Sequence, residues 1–154
     1  MNVKSSSKPI LFSIHVIAPI IAGASIYALF RPGKFVFSTW LQVLGLWSAV
    51  SSLRVHTLQF RHLIPSWLLF SLPDGLWVYA ATAAMTTIWS LSSSYQKFPW
   101  VCLPFIVAIA SELGQKASII PGTFDLMDLT FDMIGFIAAL LIRFPINKDK
   151  KVLV

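Results

Sequence analysis

The 154-residue sequence predicts an all-α fold, a polytopic transmembrane helical bundle of about five spans. Three observations predict it. Hydrophobic residues make up 56% of the chain and charged residues 12%, about half the charged share of a soluble domain. Mean hydropathy is +0.76. The apolar residues gather into runs separated by short polar or Pro/Gly-containing segments. Such a sequence lacks the polar surface a water-soluble fold needs, whereas a bilayer solvates apolar side chains directly. Residues 1–154 read as one transmembrane domain, without a soluble domain, internal repeat or low-complexity linker.

The first run, Ile10 to Phe30, has 21 residues and no charge. At ~1.5 Å per residue it spans a ~30 Å hydrocarbon core. Ala22-Gly23-Ala24 looks like a signal-peptidase site, but the run continues past it, so an uncleaved span is expected. Pro19 is tolerable inside such a helix, and His15 is expected to be packed or near the interface. Arg31-Pro32-Gly33-Lys34 reads as a tight turn. Phe35 to Leu53 follows, a weaker span of 19 residues with Gln42 and several Ser, either crossing or lying partly in the interface. Arg54 to Pro65 is polar. Its His56 and His62 are six apart, too far to share a helical turn, and read as solvated rather than as zinc ligands.

Leu63 to Leu72 is too short to cross, and Pro73-Asp74-Gly75 is expected to break it. The third main run, Gly75 to Leu91, carries Ala80, Ala81, Ala83 and Ala84, small residues that allow close helix approach. A polar loop with Lys97 leads to the fourth run, Trp100 to Leu113, and Pro121-Gly122 marks a turn. The fifth run extends from Asp125 to Ile142 and ends in a basic tail with Arg143, Lys148, Lys150 and Lys151. Cys102, the single cysteine, excludes an intramolecular disulfide and reads as a small buried or lipid-facing residue. The formal net charge of +6 comes from bases scattered between apolar runs and gathered at the C-terminus. That pattern suits anionic lipid and argues against nucleic acid.

Only Asp149 is an ordinary surface acid. Asp74, Glu112, Asp125, Asp128 and Asp132 each sit at or inside the end of an apolar run, and acids there are functional candidates by default. Asp74 starts the third span, Glu112 ends the fourth, and Asp125 and Asp128 start the fifth. Successive spans alternate direction, so these ends share one side. At ~100° per residue, Asp125, Asp128 and Asp132 fall within roughly 60° of arc, with Gly135 and Ala139 on the same stripe. The stripe is expected to face the bundle interior, with Asp132 deepest. Lys97 and the bases of the tail mark the opposite side as cytoplasmic, which makes the acidic ends extracytoplasmic. The N-terminus is outside with five spans, and inside if Phe35 to Leu53 does not cross.

Helix capping is the competing explanation. Asp74 and Asp125 suit N-caps, and Glu112 could pair with Lys116 one turn later. Capping leaves Asp132 unexplained. Acids held together share a proton or a cation, and carboxylates favour Mg²⁺ or Ca²⁺ over zinc. Asp125, Asp128 and Glu112 are the expected metal ligands, with Asp74 and Asp132 available to complete the shell.

Glu112-x-x-Gln115, then Pro121-Gly122-Thr123-Phe124-Asp125-Leu126-Met127-Asp128, then Asp132 and Gly135, resembles the VanZ-like family of small membrane proteins. Asp74-Gly75-Leu76-Trp77-Val78-Tyr79 looks like that family's earlier element, and the likeness covers about residues 70–143. Trp77 or a neighbour stands where the family has His, Asp132 where it has Asn, and Gly122 where Arg is common. The resemblance implies a multi-pass protein of the cell membrane and envelope, adds Gln115 to the site, and carries the theme of resistance to a glycopeptide antibiotic. The expected function is an extracytoplasmic acidic pocket for an envelope lipid, a glycopeptide-type ligand or a cation, with the bilayer and an envelope lipid or membrane protein as partners. The alternatives are an enzyme acting on a lipid-linked phosphate, an ion or proton carrier, and an accessory or immunity subunit acting by helix packing. No nucleophile motif, phosphate loop or paired histidines supports the enzyme.

Overall fold

A computed structural model describes residues 7–31, 37–90 and 94–142, and every regular element among them is helical. The basic tail and the turn at residues 32–34 lie outside the described residues. The first run forms α1 (Ser7–Phe12), a π-helical turn (Ser13–Ile17) and α2 (Ala18–Phe30) without interruption. Pro19 stands two residues past the end of the π turn, second in α2. Its ring has no N–H for the His15 carbonyl and would crowd that carbonyl in a regular α-helix; widening the preceding turn makes room.

The second run is not one helix. α3 (Phe37–Val43) stops where Gly45 adopts φ +70°. The Leu46 N–H reaches the Leu41 carbonyl at 2.8 Å and the Gly45 N–H the Gln42 carbonyl at 3.0 Å, a Schellman cap. α4 (Trp47–Leu58) then starts afresh. With 7 and 12 residues, the two helices are about 10 and 18 Å long, too short to cross a ~30 Å core. α4 also takes in the start of the segment expected to be a polar loop. Its Arg54, only 8% exposed, donates from Nη1 to the Ala28 carbonyl and from Nη2 to the Arg31 carbonyl at 2.9 Å. Thr57 Oγ1 donates to the Leu29 carbonyl at 2.8 Å. A cation and a hydroxyl thus satisfy the carbonyls that end α2.

A 3-10 turn (Arg61–Leu63) and the short α5 (Ser66–Leu69) lead into α6 (Ser71–Ile88). Pro73-Asp74-Gly75 does not break the chain. Pro73 falls in the first turn of α6, where a helix has no partner for its N–H groups anyway. α7 (Lys97–Lys116) and α8 (Leu126–Leu141) complete the bundle.

Contacts fix the directions. His15 Nδ1 hydrogen-bonds the Tyr79 hydroxyl at 2.6 Å, while Gly23 lies against the Pro73 carbonyl and the Tyr27 ring is tilted against Trp77, so α2 runs antiparallel to α6. Phe105 stacks on Phe136 with centroids 4.9 Å apart, while Glu112 meets Asp125, so α7 runs antiparallel to α8. α6 and α8 are parallel and make the most extensive contact among the described helices, with Gly75, Gly135 and Ala139 at its centre. Arg31 lies against the Phe70 ring, so the chain leaves α2 and re-enters α6 at the same end of the bundle.

The interior is made of small residues. Ala80, Ala83 and Ala139 are fully buried, and Val16 packs with Ala83 and Ala139. Large apolar side chains such as Val43, Ile88, Ile106, Ile134 and Leu141 are exposed. This reverses the soluble pattern. Two helices, Pro9–Phe30 and Lys97–Lys116, are long and apolar enough to cross a membrane, and little of either is buried in the protein.

Candidate functional site

At the end of the bundle where α6 and α8 begin and α2 and α7 finish, a cavity of about 990 Å³ opens between the helices. Asp74, Glu112, Gln115, Asp125, Asp128 and Asp132 all line it. Arg31 is the one basic side chain among the described residues of its wall.

Each acid arrives by a different route. Asp74 rides on the first turn of α6, half-buried. Asp125 is exposed and is the N-cap of α8, where the Met127 N–H donates to its Oδ1 at 2.8 Å. The capping explanation therefore holds for Asp125. Glu112, 5% exposed, reaches across from the last turns of α7, and its Oε2 accepts from the Asp125 N–H at 3.1 Å. It does not turn to Lys116, whose ammonium sits 5.1 Å from the centre of the Phe124 ring. Gln115 packs against Gly122, which has φ +144°; a Cβ there would meet the Gln115 amide carbon at 2.7 Å. The glycine thus allows both the turn and the amide's approach.

Asp128 and Asp132 follow on the inner face of α8. Asp128 is half-buried, and its Oδ1 is enclosed without a hydrogen-bond partner. Asp132 is 3% exposed, and its Oδ1 too has no partner among the described residues. The acids thus run from the exposed cap at the mouth to an enclosed carboxyl at depth. Below them the wall turns apolar, with Val78 and Ala81 from α6 and Leu103, Pro104, Val107 and Ala108 from α7.

The expected metal trio is not assembled. Among the described residues no three His, Cys, Asp or Glu side chains stand close enough to hold an ion together. Asp125 turns its Oδ1 back to its own helix, and Glu112 turns its Oε2 to the Asp125 N–H.

Sequence reasoning missed two polar features. One is the Arg54 cap on α2, which lay in a segment read as loop. The other is the His15–Tyr79 hydrogen bond. Their separation of 64 positions left no local signal, and only the antiparallel packing of α2 on α6 joins them.

No family model, curated protein or solved structure matches the chain. Any functional reading therefore stands on the chain's own residues.

Proposed function

We propose that this is a multi-pass, VanZ-like protein of the cell membrane whose extracytoplasmic acidic cavity binds a cationic group of an envelope component. The observation that carries the reading is Asp132, a carboxyl 3% exposed that lines the cavity and whose Oδ1 has no hydrogen-bond partner among the described residues. A buried, unpaired carboxylate costs several kcal/mol. Asp74, Asp128 and Glu112 line the same space with one arginine between them, so a ligand that supplies positive charge recovers that cost.

A four-crossing topology accompanies the proposal. α1 and α2 cross together, then α6, α7 and α8, while α3 and α4 stay at the acidic end, where Arg54 caps α2. α6 and α8 have 18 and 16 residues, about 27 and 24 Å of helix, enough with flanking turns to cross. Lys4, Lys8, Lys97 and the basic tail then share one side. Basic and acidic residues balance on the acidic side, so the whole net charge of +6 falls on the other. That is the cytoplasmic signature, and it puts both termini inside.

Spermidine, a small polycation without a hydrocarbon tail, tests the site. Purified protein in a neutral detergent is heated with and without it, beside Mg²⁺ and Ca²⁺ at matched ionic strength. Spermidine is expected to raise the unfolding temperature of the wild type, and Asp132→Asn to lose most of that rise. An equal rise in both proteins, or none in either, refutes the reading. A rise with Ca²⁺ or Mg²⁺ that matches spermidine's would restore the metal in place of the organic cation.

A further inference from the structure

We infer that the cationic group arrives attached to a single hydrocarbon chain, which lies along the apolar lower wall between α6 and α7. The inference rests on the cation-binding reading above and names the ligand class of the same cavity. Acid chemistry accounts only for the top of the cavity. Ala81 lies seven residues beyond Asp74 on α6, and Leu103 nine before Glu112 on α7, so the apolar wall continues for roughly 10–13 Å below the carboxyls. A hydrophilic cation makes no use of that depth. A chain of about ten carbons matches it, taking the helical rise as the ruler.

The wall suits such a chain. Ala81 and Ala108 are small and leave width, while Val78, Leu103, Pro104 and Val107 offer only carbon surface. α7 touches α6 and α8 more sparsely than those two touch each other. Leu103 and Val107 line the cavity while being 40% and 57% exposed, so the cleft is open along the side of α7. A ligand already dissolved in the membrane can enter there sideways. Its head then slides towards Asp132 as its chain exchanges one apolar surface for another. The chain gains little free energy by that exchange. It sets the route and the depth, and the carboxyls supply the selectivity.

Decylammonium with a diazirine near the end of its chain is the probe, and decanol with the same diazirine is the uncharged comparison. The full-length protein is held in phosphatidylcholine nanodiscs, irradiated, digested and mapped by mass spectrometry. The ammonium probe is expected to label residues within 78–81 and 103–108. That labelling is expected to fall several-fold with excess unlabelled decylammonium, in Asp132→Asn, and in Ala81→Phe, which fills the lower cleft. The alcohol is expected to label that region several-fold less and to favour the outer surface around Ile134 and Leu141. If spermidine still stabilises the wild type through Asp132 while cleft labelling is absent, or is unchanged by Asp132→Asn or by Ala81→Phe, the chain is refuted and the cation site stands. If spermidine also fails, both fall.

Discussion

Substituting Gly135 by alanine is expected to part the two central helices. An ideal Cβ at Gly135 would lie 2.2 Å from the Gly75 carbonyl oxygen and 3.3 Å from the Tyr79 backbone nitrogen. Ordinary contact begins at 3.4 Å, so α8 must retreat from α6 by more than 1 Å. Both obstacles are backbone, which cannot swing aside as a side chain does. Overpacking of this kind costs about 1–3 kcal/mol, and the better helix propensity of alanine returns up to ~1 kcal/mol. A net loss of about 1–2 kcal/mol follows, and Gly135→Leu loses more. Gly75→Ala meets the Phe131 carbonyl oxygen at 2.6 Å across the same contact. The double variant should therefore lose less than the two singles added, since the first methyl already opens the gap.

Gly114→Ala is the internal control. Its Cβ would approach Ile120 Cδ1 at 2.7 Å, the tip of a flexible side chain on a loop. That collision resolves by rotation, and the variant should match the wild type to within about 0.5 kcal/mol or gain slightly. Unfolding by SDS in mixed micelles, followed by tryptophan fluorescence, measures the wild type and each of these variants. If Gly135→Ala is as stable as Gly114→Ala, the helix contact is wrong, and the inward direction of the acidic face of α8 is wrong with it.

Other expectations concern topology and caps. In a Cys102→Ser background, cysteines at Lys97 and Ile119 should react with an impermeant reagent from opposite sides, and a cysteine at Lys8 should behave like Lys97; a Lys8 cysteine that reacts from the Ile119 side would restore an odd number of crossings. Asp125→Asn should stay within about 0.5 kcal/mol of the wild type in thermal or SDS unfolding, because asparagine caps as well as aspartate, whereas Asp125→Ala should lose about 1 kcal/mol. Arg54→Met keeps the apolar stem but abandons the Ala28 and Arg31 carbonyls, and should cost about 1.5–3 kcal/mol by the same assay; a loss below 0.5 kcal/mol would mean that water replaces the guanidinium. Tyr79→Phe removes the His15 hydrogen bond and should cost about 1 kcal/mol.

The gathering of the acids was legible because it needs only connectivity. Alternating helices bring the start of α6, the end of α7 and the start of α8 together whatever their tilt, and all five acids line one cavity. The inward face of α8 was legible from Gly135 and Ala139, since small residues three or four apart have little other use on a helix. The number of spans was not. Phe35 to Leu53 has a spanning length and composition, but a single αL glycine with the right two hydrogen bonds ends a helix, and hydropathy averages over it. Helical angle puts Asp125 near Asp128 and Asp132, and its position also suits an N-cap; angle alone does not say which of the two its Oδ1 serves, and the structure shows the cap.

The glycines and the carboxyls are one device rather than two features that happen to share a helix. Gly75 directly follows Asp74, and Gly135 stands one turn beyond Asp132. Because α6 and α8 meet backbone to backbone at these glycines, no side chain separates them and no water-sized gap is needed there. The same closeness shields Asp132 from solvent on the α6–α8 side and leaves the cavity as its open direction. A larger residue at either glycine would admit solvent to Asp132 and weaken the burial on which the proposed cation binding rests. Gly135→Ala should therefore weaken the spermidine-dependent rise in unfolding temperature as well as the unliganded stability. Gly114→Ala, on α7, changes neither packing surface of the α6–α8 pair. If Gly135→Ala lowers stability but keeps the full spermidine response, the burial of Asp132 is incidental to binding, and the exposed acids at the mouth would have to carry it.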